Sequence, residues 1–154
     1  MKFMLNCKIV NSGNKYYTWI EGWLTYRTVR KNAYIWDKIL FYSESIDLIL
    51  QAFQWEFIPF FTTGYKVRFV DDNNIYRTAY SFKKRSFSIL YDGVLYSMKF
   101  VWFKRHPHLY ENEEITGTIK ILKSGVGHFE HALSCKSHTA CLLFSLLDII
   151  QDND

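Results

Sequence analysis

The side chains best suited to chemistry in this sequence are the imidazoles and thiols of segment 128–141. They are His128, His131, Cys135, His138 and Cys141, at spacings of three or four residues. On one continuous helix these spacings would bring most of the side chains together, and imidazole and thiolate are natural zinc ligands. The set has neither paired CxxC nor HExxH spacing, so loop histidines and a buried cysteine are the simpler interpretation. We predict no metal or cofactor, and keep a zinc enzyme as an alternative.

The same segment suggests a thiol nucleophile as a second alternative. Cys135 would be activated by His131 or His138, with Glu130 as the orienting group. The residues around Cys135 match no catalytic cysteine motif, and three cysteines are an ordinary number of reduced thiols for a chain of this length. Phosphate-binding loops of the GxGxxG and GxxxxGK types do not occur. The main prediction is therefore a protein without catalytic activity.

Basic and aromatic residues alternate between residues 76 and 105, which is typical of a platform for single-stranded nucleic acid. Rings stack on bases there, and Lys and Arg pair with phosphates. The candidate contacts are Arg77, Lys83, Lys84, Arg85, Lys104 and Arg105. A solvated hairpin connection has the same basic composition, and the net charge of +4 is too modest to specify a ligand. Nucleic-acid binding is accordingly the leading alternative.

The most informative pattern is the density of aromatic residues, 19% of the chain, and their alternation along segment 15–28. A strand there places Tyr16 and Tyr26 on one face, with Tyr17, Trp19 and Trp23 on the other. One core covers only one face of an antiparallel sheet, so the second face must contact a helix, another sheet or a partner. Tyr and Trp are favoured at interfaces. The predicted partner-binding residues are Tyr17, Trp19, Glu21, Trp23 and Arg27.

Short polar turns separate the segments that must position these side chains, including a turn at residues 30–32 and the hairpin signal Asp92-Gly93. Alternating patterns predict strands at 3–10, 15–28, 33–42, 65–70, 75–82, 86–91, 94–103 and 114–122. A three-to-four residue period predicts a helix over 44–57, capped by Ser43, and a second helix begins after Ser134 or Ser137 and runs to about Ile150. The expected fold is α+β: a strongly curved antiparallel sheet of about seven to eight strands, in the order meander, helix, meander, helix, with two helices packed on it. The sequence leaves open whether this sheet closes into a barrel.

Length and composition predict one domain spanning residues 1–154, since 49% of the residues are apolar. The amino terminus lacks a continuous apolar region, and no apolar run is long enough to span a bilayer, which predicts a cytoplasmic protein. By exclusion, we predict a non-catalytic protein-binding module. One form of it is a small bacterial inhibitor or immunity protein that neutralises a toxin or effector by stoichiometric binding. The positive net charge disfavours a nuclease as the target.

Overall fold

In the part of the chain that the structure describes, the fold is a closed antiparallel β-barrel of twelve strands with one helix. The computed structural model describes residues 4–33, 36–58, 61–81, 85–100, 106–125 and 128–152. The elements are β1 (Leu5–Ser12), β2 (Lys15–Ile20), β3 (Trp23–Ala33), β4 (Trp36–Ser43), β5 (Leu48–Ile58), β6 (Phe61–Phe69), β7 (Ile75–Ser81), β8 (Ser86–Tyr91), β9 (Val94–Lys99), β10 (His108–Glu111), β11 (Glu114–Gly125), β12 (His128–Cys135) and α1 (His138–Gln151). Each strand pairs with its neighbours along the chain, and β1 pairs with β12 to complete the ring.

Alternation of side chains along each strand separates the inside of the barrel from the outside. In β1, Leu5, Cys7 and Ile9 are buried, whereas Asn6 and Lys8 are exposed. This period of two is the one a barrel requires, because successive side chains point to opposite faces of the sheet. The inward residues of the strands thus form a single apolar core.

The helix α1 fills the interior of the barrel. Every residue from Ala140 to Ile150 is buried, and α1 packs against β1, β2, β8, β9 and β12. The cap is Ser137, whose Oγ accepts a hydrogen bond from the Ala140 amide at 3.1 Å. A helix that is apolar around its circumference must be surrounded by protein, and here the barrel surrounds it. The predicted C-terminal helix is therefore confirmed. Within the described ranges, no helix is both long enough and apolar enough to cross a membrane.

The predicted α+β fold with two helices is wrong. Segment 44–57 forms a turn and most of β5 instead of a helix. Ser43, the expected helix cap, closes the turn: its amide donates to the Asp47 carbonyl at 2.8 Å, and its Oγ accepts from the Asp47 amide at 3.2 Å. Leu50 and Ala52 are buried in the core, and Phe53 is partly buried. Ile49 lies at a register shift between β4 and β5 and also packs against the core. This irregularity interrupts the period of two in β5.

The predicted number of seven to eight strands is also wrong, because twelve strands form a closed ring among the described residues. Segment 15–28 contains two strands, since Glu21 and Gly22 adopt φ values of 51° and 81° and make the tight turn between β2 and β3. The turn expected at residues 30–32 lies within β3. The hairpin predicted at Asp92-Gly93 is confirmed, as β8 and β9 pair on either side of it.

A buried ion pair fastens the C-terminal end of α1 to the wall of the barrel. The Arg30 guanidinium donates from Nε and Nη2 to both carboxylate oxygens of Asp37, at 2.6 to 3.1 Å. Its Nη1 donates to the carbonyls of Ile149 and Asp152, each at 2.6 Å. The hydroxyl of Tyr65 donates to Asp37 as well. A cation is favourable at a helix C-terminus, where unpaired carbonyls carry partial negative charge.

Gly117 sits where β11 passes unusually close to the backbone of β12. A Cβ atom at this position would collide with the carbonyl oxygen of Ser134. We expect Gly117→Ala to lower the free energy of unfolding by about 1–3 kcal/mol, because backbone must move to relieve the overlap. The matched control is Gly125→Ala on the same strand, where a Cβ would lie 3.5 Å from the His128 carbonyl oxygen, an ordinary contact. Urea denaturation of both variants measures the difference, and equal stabilities would contradict the prediction.

Candidate binding surface

A groove of about 910 Å³ runs across the outside of the barrel over β3, β2, β1, β12 and β11. Its first row of side chains follows the register of these five strands: Leu24, Trp19, Lys8, Ala132 and Lys120. Small side chains at Asn6, Ala132 and Ser134 contribute to its lining, so the larger side chains around them rise above it. The groove is therefore a product of pairing between strands distant in sequence.

The second row runs beside the first: Arg27, Tyr17, Val10, Glu130 and Lys123. Tyr17 and Val10 also line the groove, and both are only partly buried. Trp19, within the groove, is 38% exposed. Trp23 does not line the groove, pairs with the buried Ile20 across the β2–β3 turn, and is 75% exposed. Two indole rings and a phenol thus present apolar area that the monomer does not cover.

The two rows carry more positive than negative charge. Four of their ten side chains are basic, namely Lys8, Lys120, Arg27 and Lys123, and one is acidic, Glu130. Lys8 Nζ lies 3.4 Å from Glu130 Oε2 on the surface. Basic side chains therefore surround the apolar centre of the groove.

The turn that carries Glu21 is tied to β1 beside the groove. The Asn6 amide donates to Glu21 Oε1, and the Glu21 amide donates to the Asn6 carbonyl, both at 2.8 Å. This pair of bonds holds the β2–β3 turn, and with it the start of β3 at Trp23, against the first strand. Glu21 is exposed and its role here is to order the turn.

A smaller cavity of about 390 Å³ adjoins the groove through Tyr17. Arg27 lines it between two tyrosines, since β3 pairs Arg27 with Tyr17 of β2 and with Tyr42 of β4. Lys15 and Ile46 also contribute to this lining of polar and apolar side chains. The structure thus brings Tyr17, Trp19 and Arg27 onto one continuous face, whereas Trp23 lines neither cavity.

Sequence reasoning missed the part of the groove that β1, β11 and β12 supply. Val10, Ala132 and Lys120 face the same space as Trp19. No local signal joins them, because the pairing of β1 with β12 connects the two ends of the chain. An alternating pattern in each strand gives the face of a residue, but not which strand lies beside it.

Only part of the predicted nucleic-acid platform lies within the described residues. Lys83, Lys84, Lys104 and Arg105 lie outside the described residues. Arg77 is exposed and Arg85 is half-buried. The rings between them face inward: Phe87 is buried, and Tyr76, Tyr80 and Phe100 pack against the core. Stacking on bases needs open ring faces, so this stretch offers fewer of them than its sequence suggests.

The histidines and cysteines of segment 128–141 are divided between β12 and α1 and do not converge. His128 and His138 are exposed, while Cys135 and Cys141 are fully buried. His131 faces inward and pairs with Asp148. Across the described ranges, no group of three His, Cys, Asp or Glu side chains is arranged to hold a metal ion.

The thiols of Cys7 and Cys141 are held in the protonated form. A hydrogen bond with Cys141 and burial raise the pKa of Cys7 far above its ordinary value. The pKa of Cys141 is raised by its hydrogen bond with Cys135 and by burial. A thiol held protonated in the core is a poor nucleophile, because the thiolate is the reactive form. These two groups behave as small core residues.

Comparison with known proteins identifies the fold and nothing finer. No protein-family model matches the chain, and no curated protein matches it. A crystal structure of a protein from Arabidopsis thaliana is similar, with a TM-score of 0.64 and 11% sequence identity. The alignment covers 98% of this chain and 91% of that one. At such low identity the similarity establishes a shared barrel architecture only.

Proposed function

We propose that this protein is a non-catalytic binding module whose outer groove receives an acidic segment of a partner protein. The observation that carries the proposal is the pair of outer rows in which exposed aromatic rings lie among basic side chains. Trp19 is 38% exposed in a groove of about 910 Å³, and Tyr17 lies beside it. Tyr and Trp provide large contact areas with little rotamer entropy to lose, and they dominate interface energies.

The charge pattern specifies the chemistry of the partner segment. Four basic side chains against one carboxylate in the two rows favour an anionic ligand. The apolar floor around Val10 and Ala132 favours aliphatic or aromatic anchors between those charges. A peptide that alternates Asp or Glu with apolar residues satisfies both requirements.

Nucleic acid is the competing ligand, since it too combines negative charge with flat apolar groups. Glu130 is paired with Lys8 and would repel either kind of anion. The choice of protein therefore rests on the aliphatic floor around Val10 and Ala132, which suits apolar side chains of a peptide. The finer hypothesis is that the partner is a bacterial toxin or effector in the cytoplasm, which stoichiometric binding neutralises. Co-expression with a toxin encoded beside this chain's gene tests that hypothesis by measuring whether growth is restored.

Photo-crosslinking locates the partner on the surface. A photoreactive amino acid at position 19, where the side chain is 38% exposed within the groove, is expected to capture a protein in cells. The same amino acid at position 90, which is 57% exposed on β8 away from the groove, is the control. A captured species that nuclease treatment removes would establish nucleic acid as the ligand and overturn the proposal. Equal capture from both positions would do the same.

We expect Trp19→Ala to weaken binding of the captured partner more than about tenfold, because truncating a central aromatic anchor costs 2 kcal/mol or more. Calorimetric titration of the purified pair measures the change. Leu90→Ala is the matched control, because it removes an exposed apolar side chain elsewhere on the barrel. Lys120→Glu should weaken binding as well if the partner segment is acidic. Unchanged affinity in both groove variants would place the contact elsewhere.

A further inference from the structure

A second cavity, of about 250 Å³, lies at the C-terminal end of α1, between the helix and the inner faces of β9, β11 and β12. Its apolar wall consists of Met98, Phe100, Pro107, Ile119, Ile121 and Phe129. Its polar wall consists of His131, Asp148, Gln151 and Asp152. It is separate from the outer groove, because its strand residues point toward the helix. An apolar cavity with a few convergent polar groups is the usual form of a small-molecule site.

The polar wall is held in a fixed arrangement. The Nδ1 atom of His131 lies 2.8 Å from Oδ2 of Asp148, and the His131 ring stacks on Phe129 with centroids 4.1 Å apart and planes 18° apart. Asp148 is 6% exposed on a helix that is otherwise almost wholly apolar. Burial raises the pKa of Asp148, since a charge in this position loses its hydration. A buried ionisable pair is seldom stabilising against an apolar replacement, so its position beside a cavity points to a ligand.

The charges that face the cavity favour a cation. Asp148 and Asp152 contribute two carboxylates against the single imidazole of His131, and the lining from β9 and β11 is uncharged. The last carbonyls of α1 add partial negative charge. Arg30 contacts this helix end through the Ile149 and Asp152 carbonyls, but Asp37 neutralises its charge. The Tyr16 hydroxyl donates to Asp152 Oδ2 at 2.8 Å, which leaves the other carboxylate oxygen for a ligand.

We propose that this cavity binds a small organic amine, with its ammonium group on Asp148 and Asp152 and its apolar body against Phe100, Ile119 and Phe129. The cavity is smaller than the pockets of ~300–1,000 Å³ that hold drug-sized molecules, so the ligand is a single ring or a short chain. The aromatic wall adds attraction for a cation. This inference is independent of the outer groove.

Benzylamine is the probe, with benzyl alcohol as the uncharged control of similar shape. Each is titrated into ¹⁵N-labelled protein and followed by amide chemical shifts. We expect saturable shifts at residues 129–131 and 148–152 with benzylamine, and at least tenfold weaker binding of benzyl alcohol. The absence of binding by benzylamine would overturn the proposal, and so would equal affinities of the two probes or shifts confined to the groove strands β1 and β2.

Two variants separate the charge from the cavity. Asp148→Asn keeps an acceptor for His131 and removes one of the two carboxylates, so benzylamine should bind more weakly while benzyl alcohol binding is unchanged. Ile121→Trp leaves the pair intact and fills the cavity at its margin, where Ile121 is 39% exposed, so both probes should lose binding. Asp72→Asn, in the turn between β6 and β7, is the control. If Asp148→Asn does not fold, Ile121→Trp decides: retained benzylamine binding there would overturn the proposal.

Discussion

Replacement of Asp37 by Leu is expected to lower the free energy of unfolding by about 3–5 kcal/mol, because it leaves the Arg30 guanidinium buried without a counter-charge. Arg30 is 7% exposed and Asp37 is 6% exposed. Burial by itself lowers the pKa of Arg30, but hydrogen bonds and Coulomb attraction from Asp37 raise it above its ordinary value. The variant cannot lose this charge by deprotonation. Urea denaturation, followed by tryptophan fluorescence, measures the loss.

A double-mutant cycle separates the effect of losing the ion pair on stability from the effect of leaving one buried charge unpaired. Arg30→Met added to Asp37→Leu should recover part of the stability, since no buried charge then remains unpaired. Recovery is incomplete because the Ile149 and Asp152 carbonyls lose their donor. Lys136→Gln is the surface control. Its Nζ lies 3.9 Å from Glu114 Oε1 in a half-exposed pair, for which about 1 kcal/mol or less is expected. A loss below 1 kcal/mol for Asp37→Leu would show that the pair does not anchor the helix.

The sequence reveals those features of the fold that depend on neighbouring residues. Asp92-Gly93 marks a hairpin because both residues adopt positive φ, at 50° and 76°. Ser137 marks the start of α1 because its hydroxyl accepts an amide hydrogen bond three residues later. Both signals act within one turn of chain. They are therefore readable without knowledge of the remainder of the molecule.

Features that depend on distant strands cannot be read in this way. Closure of the barrel pairs Leu5 with Cys135, and no residue near either position records the other. In β5, Ile49 lies at a register shift and packs against the same core as the fully buried Leu50, so apolar residues recur at intervals that imitate a helix. The secondary structure of such a segment is determined by its tertiary contacts and not by its local pattern of residues.

The candidate site follows the same division. Rings at Tyr17 and Trp19 could be assigned to one strand face from their spacing alone, and they lie on the outer face. The groove that they border requires Val10 and Ala132, which the closure of the barrel brings alongside. Its basic surround likewise combines Lys8 with Lys120 from opposite ends of the chain. Ring spacing thus predicts a contact face, while the chemistry of its ligand depends on topology.

Truncation of a large buried side chain of α1 is expected to lower the free energy of unfolding as much as loss of the buried ion pair between Arg30 and Asp37. Phe144 is fully buried near the middle of α1, and its ring makes an edge-to-face contact with Tyr96 of β9, with centroids 5.7 Å apart. Phe144→Ala should lower the free energy of unfolding by about 3–5 kcal/mol, since it removes a large apolar side chain and leaves a cavity between helix and barrel. Thermal and urea unfolding measure the effect.

The size of that loss tests whether the barrel can collapse onto its helix. Twelve hydrogen-bonded strands form a closed ring, so the wall around Phe144 has no free edge that could move inward. We therefore expect the barrel wall to relax little into the cavity. Phe144→Leu should lower the free energy of unfolding by less than half as much as Phe144→Ala does, because leucine fills more of the space. Thr139→Ala, exposed in the first turn of the same helix, is the matched control and should change stability by less than about 0.5 kcal/mol. Equal effects of Phe144→Ala and Thr139→Ala would contradict a helix enclosed by the barrel.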